Sequence, residues 1–72
     1  MTLFEQLDRL KRLDSLIRRK ATGRPKDLAH RLNVSRATVF RYIDDLRTFG
    51  APVVYDKERE TYKYEEPFDL KF

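Results

Sequence analysis

The 72-residue chain has no cysteine, one histidine, two glycines and three prolines. Without cysteine there is neither a disulfide framework nor a thiolate metal site. His30 alone cannot build a histidine-rich metal cluster. Gly23 and Gly50 are too few for a glycine-rich phosphate loop. No apolar run approaches the ~18 residues of a membrane span, and no signal-peptide apolar core follows Met1. A cytoplasmic, soluble protein with no membrane partner is therefore expected. At this length folding buries only roughly 60% of the surface the unfolded chain exposes, so one small domain over residues 1–72 is expected, with modest stability.

What the chain does have is charge. Sixteen Lys and Arg against twelve Asp and Glu give a net charge of +4, and 40% hydrophobic residues suffice for folding. A basic domain suggests a polyanionic partner, nucleic acid before membrane surface. The distribution says more than the total. Residues 1–50 carry 12 basic and 6 acidic side chains, whereas residues 51–72 carry 4 and 6. Between Arg18 and Arg41 eight basic residues stand against Asp27 alone.

Hydrophobic spacing predicts three helices. Thr2 and Glu5 read as a capping box. Leu3, Leu7, Leu10 and Ile17 then recur at helical spacing, with Phe4, Leu13 and Leu16 widening the stripe. Arg18, Arg19 and Lys20 suit the negative end of the helix dipole, and Gly23 is the stop signal. A first helix over 2–20 follows. Pro25 fits a first helical position, Leu28, Ala29 and Leu32 form one apolar face, and Asn33 tolerates the left-handed backbone at a helix end. A short second helix over 25–32 follows. Ser35 is a good N-cap, and Val39, Ile43 and Leu46 carry a third helix over 36–49, ended by Gly50-Ala51-Pro52. Two helices so tightly joined must cross steeply, with Val34 at the corner, which is the helix-turn-helix spacing.

Val53-Val54-Tyr55 and Thr61-Tyr62-Lys63-Tyr64 are β-branched and aromatic, and the segment Asp56 to Glu60 between them is wholly charged. They read as a hairpin over 53–64 with a five-residue tip. Tyr55, Tyr62 and Tyr64 are expected to fill the core and sheet. The tail over 65–72 alternates Phe68, Leu70 and Phe72 with polar residues. It is expected either to add a third strand and close over the first helix, the favoured reading, or to form a homodimer contact.

On a helical wheel with Val39 inward, Ile43, Leu46 and Ser35 face the core, and Ala37, Arg41, Asp44 and Thr48 point outward. Arg36 projects from the first turn. Arg36, Ala37, Thr38, Phe40 and Arg41 thus form a surface suited to a major groove. Arginine can bond guanine O6 and N7 bidentately, and Ala and Thr can touch a thymine methyl. Ser35 and the helix N-terminal amides suit a phosphate. Arg18, Arg19, Lys20, Lys26 and Arg31 are the further candidates for phosphate contacts.

The run from Pro25 through Leu28-Ala29, Leu32, Val34-Ser35-Arg36, Thr38-Val39 and Arg41 resembles the helix-turn-helix of DeoR-type winged-helix regulators. The likeness continues through Leu46 and Gly50-Ala51-Pro52 to Tyr55-Asp56, covering about residues 3–64. The resemblance implies an α+β winged helix-turn-helix fold, with three helices followed by an antiparallel hairpin wing. It also implies sequence-specific binding of double-stranded DNA in transcriptional control, with the third helix as recognition helix. Lys57 and Arg59 at the wing tip would then meet the DNA backbone. Departures are Asn33 for the turn glycine, Tyr42 where an acidic residue is common, and Glu60 where the wing often has glycine. Such regulators usually carry an effector-binding domain after the wing. Here Glu65 to Phe72 follow, so the chain reads as a stand-alone module or as a domain from a longer protein.

Regulators of this class usually pair on palindromes, so a homodimer is expected. The rival reading is a winged-helix docking module for a partner protein, using the acidic stretch Glu58 to Glu66 and the aromatic tail. An enzyme is the poorest alternative, because nothing assembles a nucleophile, a base and an oxyanion site. No cofactor and no small-molecule effector site is expected.

Overall fold

A computed structural model describes residues 3–70. Five elements follow one another: α1 (Leu3–Arg18), α2 (Pro25–Leu32), α3 (Arg36–Thr48), β1 (Val53–Asp56) and β2 (Thr61–Tyr64). Three helices followed by a two-stranded antiparallel sheet make a winged helix-turn-helix. The expected span of the second helix is met, and α3 ends one residue early. Thr2 of the expected capping box lies outside the described residues, as does Phe72.

The stop of α1 comes earlier than Gly23. Lys20 takes the left-handed backbone (φ 54°), the Lys20 N–H bonds the Ile17 carbonyl at 3.0 Å, and the Ala21 N–H reaches Leu16 at 2.9 Å. This is a Schellman closure, which satisfies carbonyls that the end of a helix leaves unpaired. All three helices end this way. Asn33 (φ 57°) closes α2 with bonds from Asn33 to His30 and Val34 to Ala29. Gly50 (φ 93°) closes α3 with bonds from Gly50 to Arg47 and Ala51 to Leu46. The apolar pairs Leu16/Ala21, Ala29/Val34 and Leu46/Ala51 stand where such a motif usually makes a hydrophobic contact.

Gly23 serves a different purpose. It lies at φ 70° before α2, and a Cβ there would stand 3.0 Å from Asp27 Cβ. Asp27 needs that position, because its carboxylate accepts the Arg24 N–H at 3.2 Å at the start of α2.

Leu13, Ile17, Leu28, Leu32, Val39 and Leu46 are completely or almost completely buried, joined by Leu10, Ala29, Tyr42, Ile43, Val53 and Tyr62. The expected stripe of α1 fails at its start, since Leu3 is 68% and Phe4 82% exposed. A 16-residue helix is about 24 Å long. The buried residues of α1, from Leu10 to Ile17, are those that meet α2 and β2, so the first turn overhangs. Tyr42, unassigned from the sequence beyond its departure from the family pattern, is a core residue at 2% exposure.

In the hairpin Val53 pairs with Tyr64, Val54 with Lys63, Tyr55 with Tyr62 and Asp56 with Thr61. The tip is four residues, not five, because Asp56 joins the ladder. Its Oδ1 accepts the N–H groups of Glu58 (3.0 Å) and Arg59 (3.1 Å), which folds the tip back. The tyrosines are sheet and core filler as expected: the Tyr55 and Tyr62 rings meet edge-on at 5.0 Å. The sheet is stitched to the α1–α2 connection by two buried threonines. Thr22 Oγ1 accepts the Tyr62 N–H at 2.8 Å, and Thr61 Oγ1 accepts the Thr22 N–H at 3.2 Å.

Among the described residues there is no third strand. The Glu65 N–H bonds the Pro52 carbonyl (2.8 Å), which extends the β1–β2 register by one rung, and Pro67 beyond it has no N–H to continue a ladder. The tail still packs within the subunit, the favoured expectation. Phe68 and Leu70 are half-buried against the core, the Tyr64 and Phe68 rings lie 5.2 Å apart, and Arg18 holds Asp69 at 3.0 Å.

Candidate nucleic-acid interface

The turn between α2 and α3 builds the site. Ser35 caps α3: its Oγ accepts the Thr38 N–H at 3.2 Å, and the two hydroxyls lie 3.0 Å apart. The backbone cap leaves Ser35 its hydroxyl proton, which it shares with Thr38 or gives to an outside acceptor. Arg36, Ala37, Phe40 and Arg41 are exposed along the first turns of α3, with Phe40 at 49%. The Arg41 guanidinium lies 5.9 Å from the centre of the Tyr42 ring, so the buried ring gives it an apolar rest while its donors face water. Thr38 is half-buried on the flank and turned to Ser35, unlike its neighbours.

Beside this face a depression runs between α2 and α3, bordered by Lys26, His30, Arg31, Val34 and Arg36. Asp27 also borders it, but its carboxylate is engaged by Arg24 at 3.4 Å. Lys26, Arg31, Arg36 and Arg41 have no carboxylate partner among the described residues. Cations without a carboxylate partner among the described residues, set around the start of α3, give this face a positive field.

The other candidate cations are placed differently. Arg18 bonds Asp14 (3.2 Å) and Asp69 (3.0 Å), and these carboxylates hold its guanidinium above its ordinary value, the Asp69 bond first. Together with Lys20 it borders the tail rather than α3. Arg19 lies on a third side, beside Arg12, Ser15, Leu16 and Arg31. Lys57 and Arg59 are exposed at the wing tip, interleaved with Glu58 and Glu60, so the tip has no net charge. Glu60 adopts φ 53° and lies 3.8 Å from Arg24. Its left-handed backbone explains why glycine is common at this wing position in the family the sequence resembles. Thr22 and Arg12 have no expected role from the sequence, and Tyr42 has none beyond its departure from the family pattern. Only Arg12 carried a visible signal, its i, i+7 spacing from Arg19.

The packed α2–α3 pair joined by a short turn, the hairpin that follows it and the cations along its face define a helix-turn-helix DNA-binding protein. The chain belongs to a family of helix-turn-helix (HTH) domains, whose profile matches residues 9–63, from within α1 to the end of the wing. No curated protein and no solved structure matches it at a significant level. Among the described residues no helix is long and apolar enough to cross a membrane.

Proposed function

We propose that the chain is a DeoR-type transcriptional regulator module that binds double-stranded DNA sequence-specifically, with α3 in the major groove. The observation that carries this reading is the exposed, acid-free group of Arg36, Ala37, Phe40 and Arg41 at the start of α3, continuous with the basic depression at α2. Arg36 and Arg41 are the base readers, through paired donors to guanine. Ala37 and Phe40 offer the apolar surface a thymine methyl needs. Lys26, Arg31, Arg19 and the α3 N-terminus with Ser35 hold phosphates. Thr38 supports the Ser35 cap and reaches bases only from its methyl side. Arg18, Lys20 and the wing-tip Lys57 and Arg59 are secondary, since carboxylates neutralise Arg18 and the tip.

The test is a selection of bound duplexes from a random pool, followed by titration of Arg41→Ala. The variant is expected to lose about 1–3 kcal/mol at its cognate base and to relax specificity there. Equal losses on selected and random duplexes would remove Arg41 from base readout. The protein-docking alternative predicts no binding of random duplex even at low salt, which the same titration detects.

A further inference from the structure

The basic surface does not end at α2. Arg31 borders two depressions, the one shared with Lys26, His30 and Arg36 and a second one between α1 and α2. The second is bordered by Arg12, Ser15 and Leu16 of α1 and by Arg19 just past its end. Arg12 and Arg19 are seven residues apart, two turns along one helix face, so both guanidiniums stand on the side where Arg31 emerges. Arg12 gives one N–H to the Arg31 carbonyl at 3.5 Å, and Arg19 gives its Nε–H to the Ser15 carbonyl at 3.3 Å. Each guanidinium has five N–H donors, so most remain available.

No carboxylate pairs with any of the three among the described residues. Four cations outside the basic surface do have such partners: Arg18 has Asp14 and Asp69, Arg24 has Asp27 and Glu60, Arg47 has Asp44, and Lys63 has Asp56. Helix dipoles account for Arg19 and Arg31, which sit at helix C-termini, but not for Arg12 in the middle of α1. Three unneutralised cations around one concavity repel one another unless an anion joins them, and planar guanidiniums suit the paired oxygens of a phosphate.

We infer that Arg12, Arg19 and Arg31 form a phosphodiester-binding site that extends the DNA interface from α3 across α2 onto α1. The inference rests on the DNA-binding reading above and adds a contact to the sugar–phosphate backbone outside the groove that α3 enters. It makes no base contact, so it strengthens binding to every sequence alike.

The test is fluorescence anisotropy of the full chain with a selected and a random duplex over a series of NaCl concentrations, comparing wild type, Arg12→Gln/Arg19→Gln and Arg12→Lys/Arg19→Lys. Each phosphate contact releases about 0.9 counterion, worth on the order of 8-fold in affinity at 0.1 M salt. The glutamine pair is expected to weaken both duplexes by the same factor, tenfold or more, and to lower the salt slope by about 1–2. The lysine pair, which keeps the charges, is expected to restore most of that slope. Both side chains are exposed, and unchanged thermal melting of the variants excludes misfolding as the cause. An unchanged affinity and slope in the glutamine pair, with wild type still binding DNA, overturns the α1 site and leaves the α3 reading standing. No DNA binding by wild type overturns both. Inorganic phosphate is titrated in parallel against the arginine side-chain NMR signals. Saturable phosphate binding that the glutamine pair abolishes, without loss of DNA affinity, assigns the site to a free anion and overturns the inference.

Discussion

At the scale of single residues, Tyr64 shows how one polar group is fixed by its surroundings. Its hydroxyl donates to Asp14 Oδ1 at 2.6 Å, and Asp14 is in turn bonded by Arg18. Burial first, and then the bond to the Asp14 carboxylate, push the phenol far above its ordinary value of 10.0. A group whose pKa is raised on folding contributes stability that is complete below its unfolded value and is lost as pH rises above it. Thermal melts between pH 7 and 11.5 are therefore expected to hold up to about pH 10 and to fall beyond it. Tyr64→Phe should be less sensitive over that interval, with a remaining fall from Tyr62, which burial also raises. Identical alkaline profiles for wild type and Tyr64→Phe would remove Tyr64 from the account.

The left-handed positions belong to this scale too. Asn33 and Gly50 are residue types that announce a helix end, and Asn33 does so here as anticipated. Lys20 does not announce one, because lysine has no intrinsic preference for that backbone. Its closure follows from the carbonyls of Leu16 and Ile17, so α1 ends at Arg18, two residues before the expected end at residue 20.

Among the elements, the decisive link is the one that joins the sheet to the helices. A two-stranded hairpin is marginal alone, and here it rests on α1 and α3 and is bonded to Thr22. Thr22→Val leaves the Tyr62 N–H buried without its acceptor, at a cost of about 1–3 kcal/mol in urea denaturation. Thr22→Ser, which keeps the oxygen, is expected to lose much less. Equal stability of the two variants would show that the Thr22 hydroxyl contributes nothing. Nothing about threonines 39 residues apart suggests pairing in a sequence, and only the return of the chain after α3 brings them together. The hairpin, by contrast, is plain from the β-branched and aromatic run, and the absence of a third strand among the described residues follows from Pro67, which has no N–H for a ladder.

At the scale of the whole molecule, two surfaces stand out among the described residues: the basic one around α2 and α3, and one rich in apolar side chains at the overhanging start of α1. There Leu3, Leu7 and Leu10 line a shallow depression with Phe49, and Phe49 is 53% exposed. One recognition helix reads a short half-site, so pairing of two copies is the expected mode of binding to a palindromic duplex. The start of α1, where Leu3 and Phe4 are exposed, is the surface expected to serve it rather than the packed tail. Light scattering at tens of micromolar is expected to give a dimer on such a duplex, and Phe4→Ser/Phe49→Ser to weaken it while leaving the melting temperature nearly unchanged. A monomer in every case, free and on DNA, would sink the pairing.

The helix-turn-helix was legible because its signals are local: a capping serine, an asparagine at the turn, and apolar residues three and four apart on two short helices. The outward set from Arg36 to Arg41 was legible for the same reason, since a helix fixes which residues share a face. What required the tertiary structure was everything that depends on which face meets which. Packing left Leu3 and Phe4 outside and took Tyr42 inside. It neutralised Arg18 with an aspartate 51 residues away, and brought Arg12, Arg19 and Arg31 together with no carboxylate partner among the described residues. Spacing along the chain sets where a side chain points from its own backbone, but whether it meets a carboxylate, an apolar neighbour or water is decided by how the elements pack.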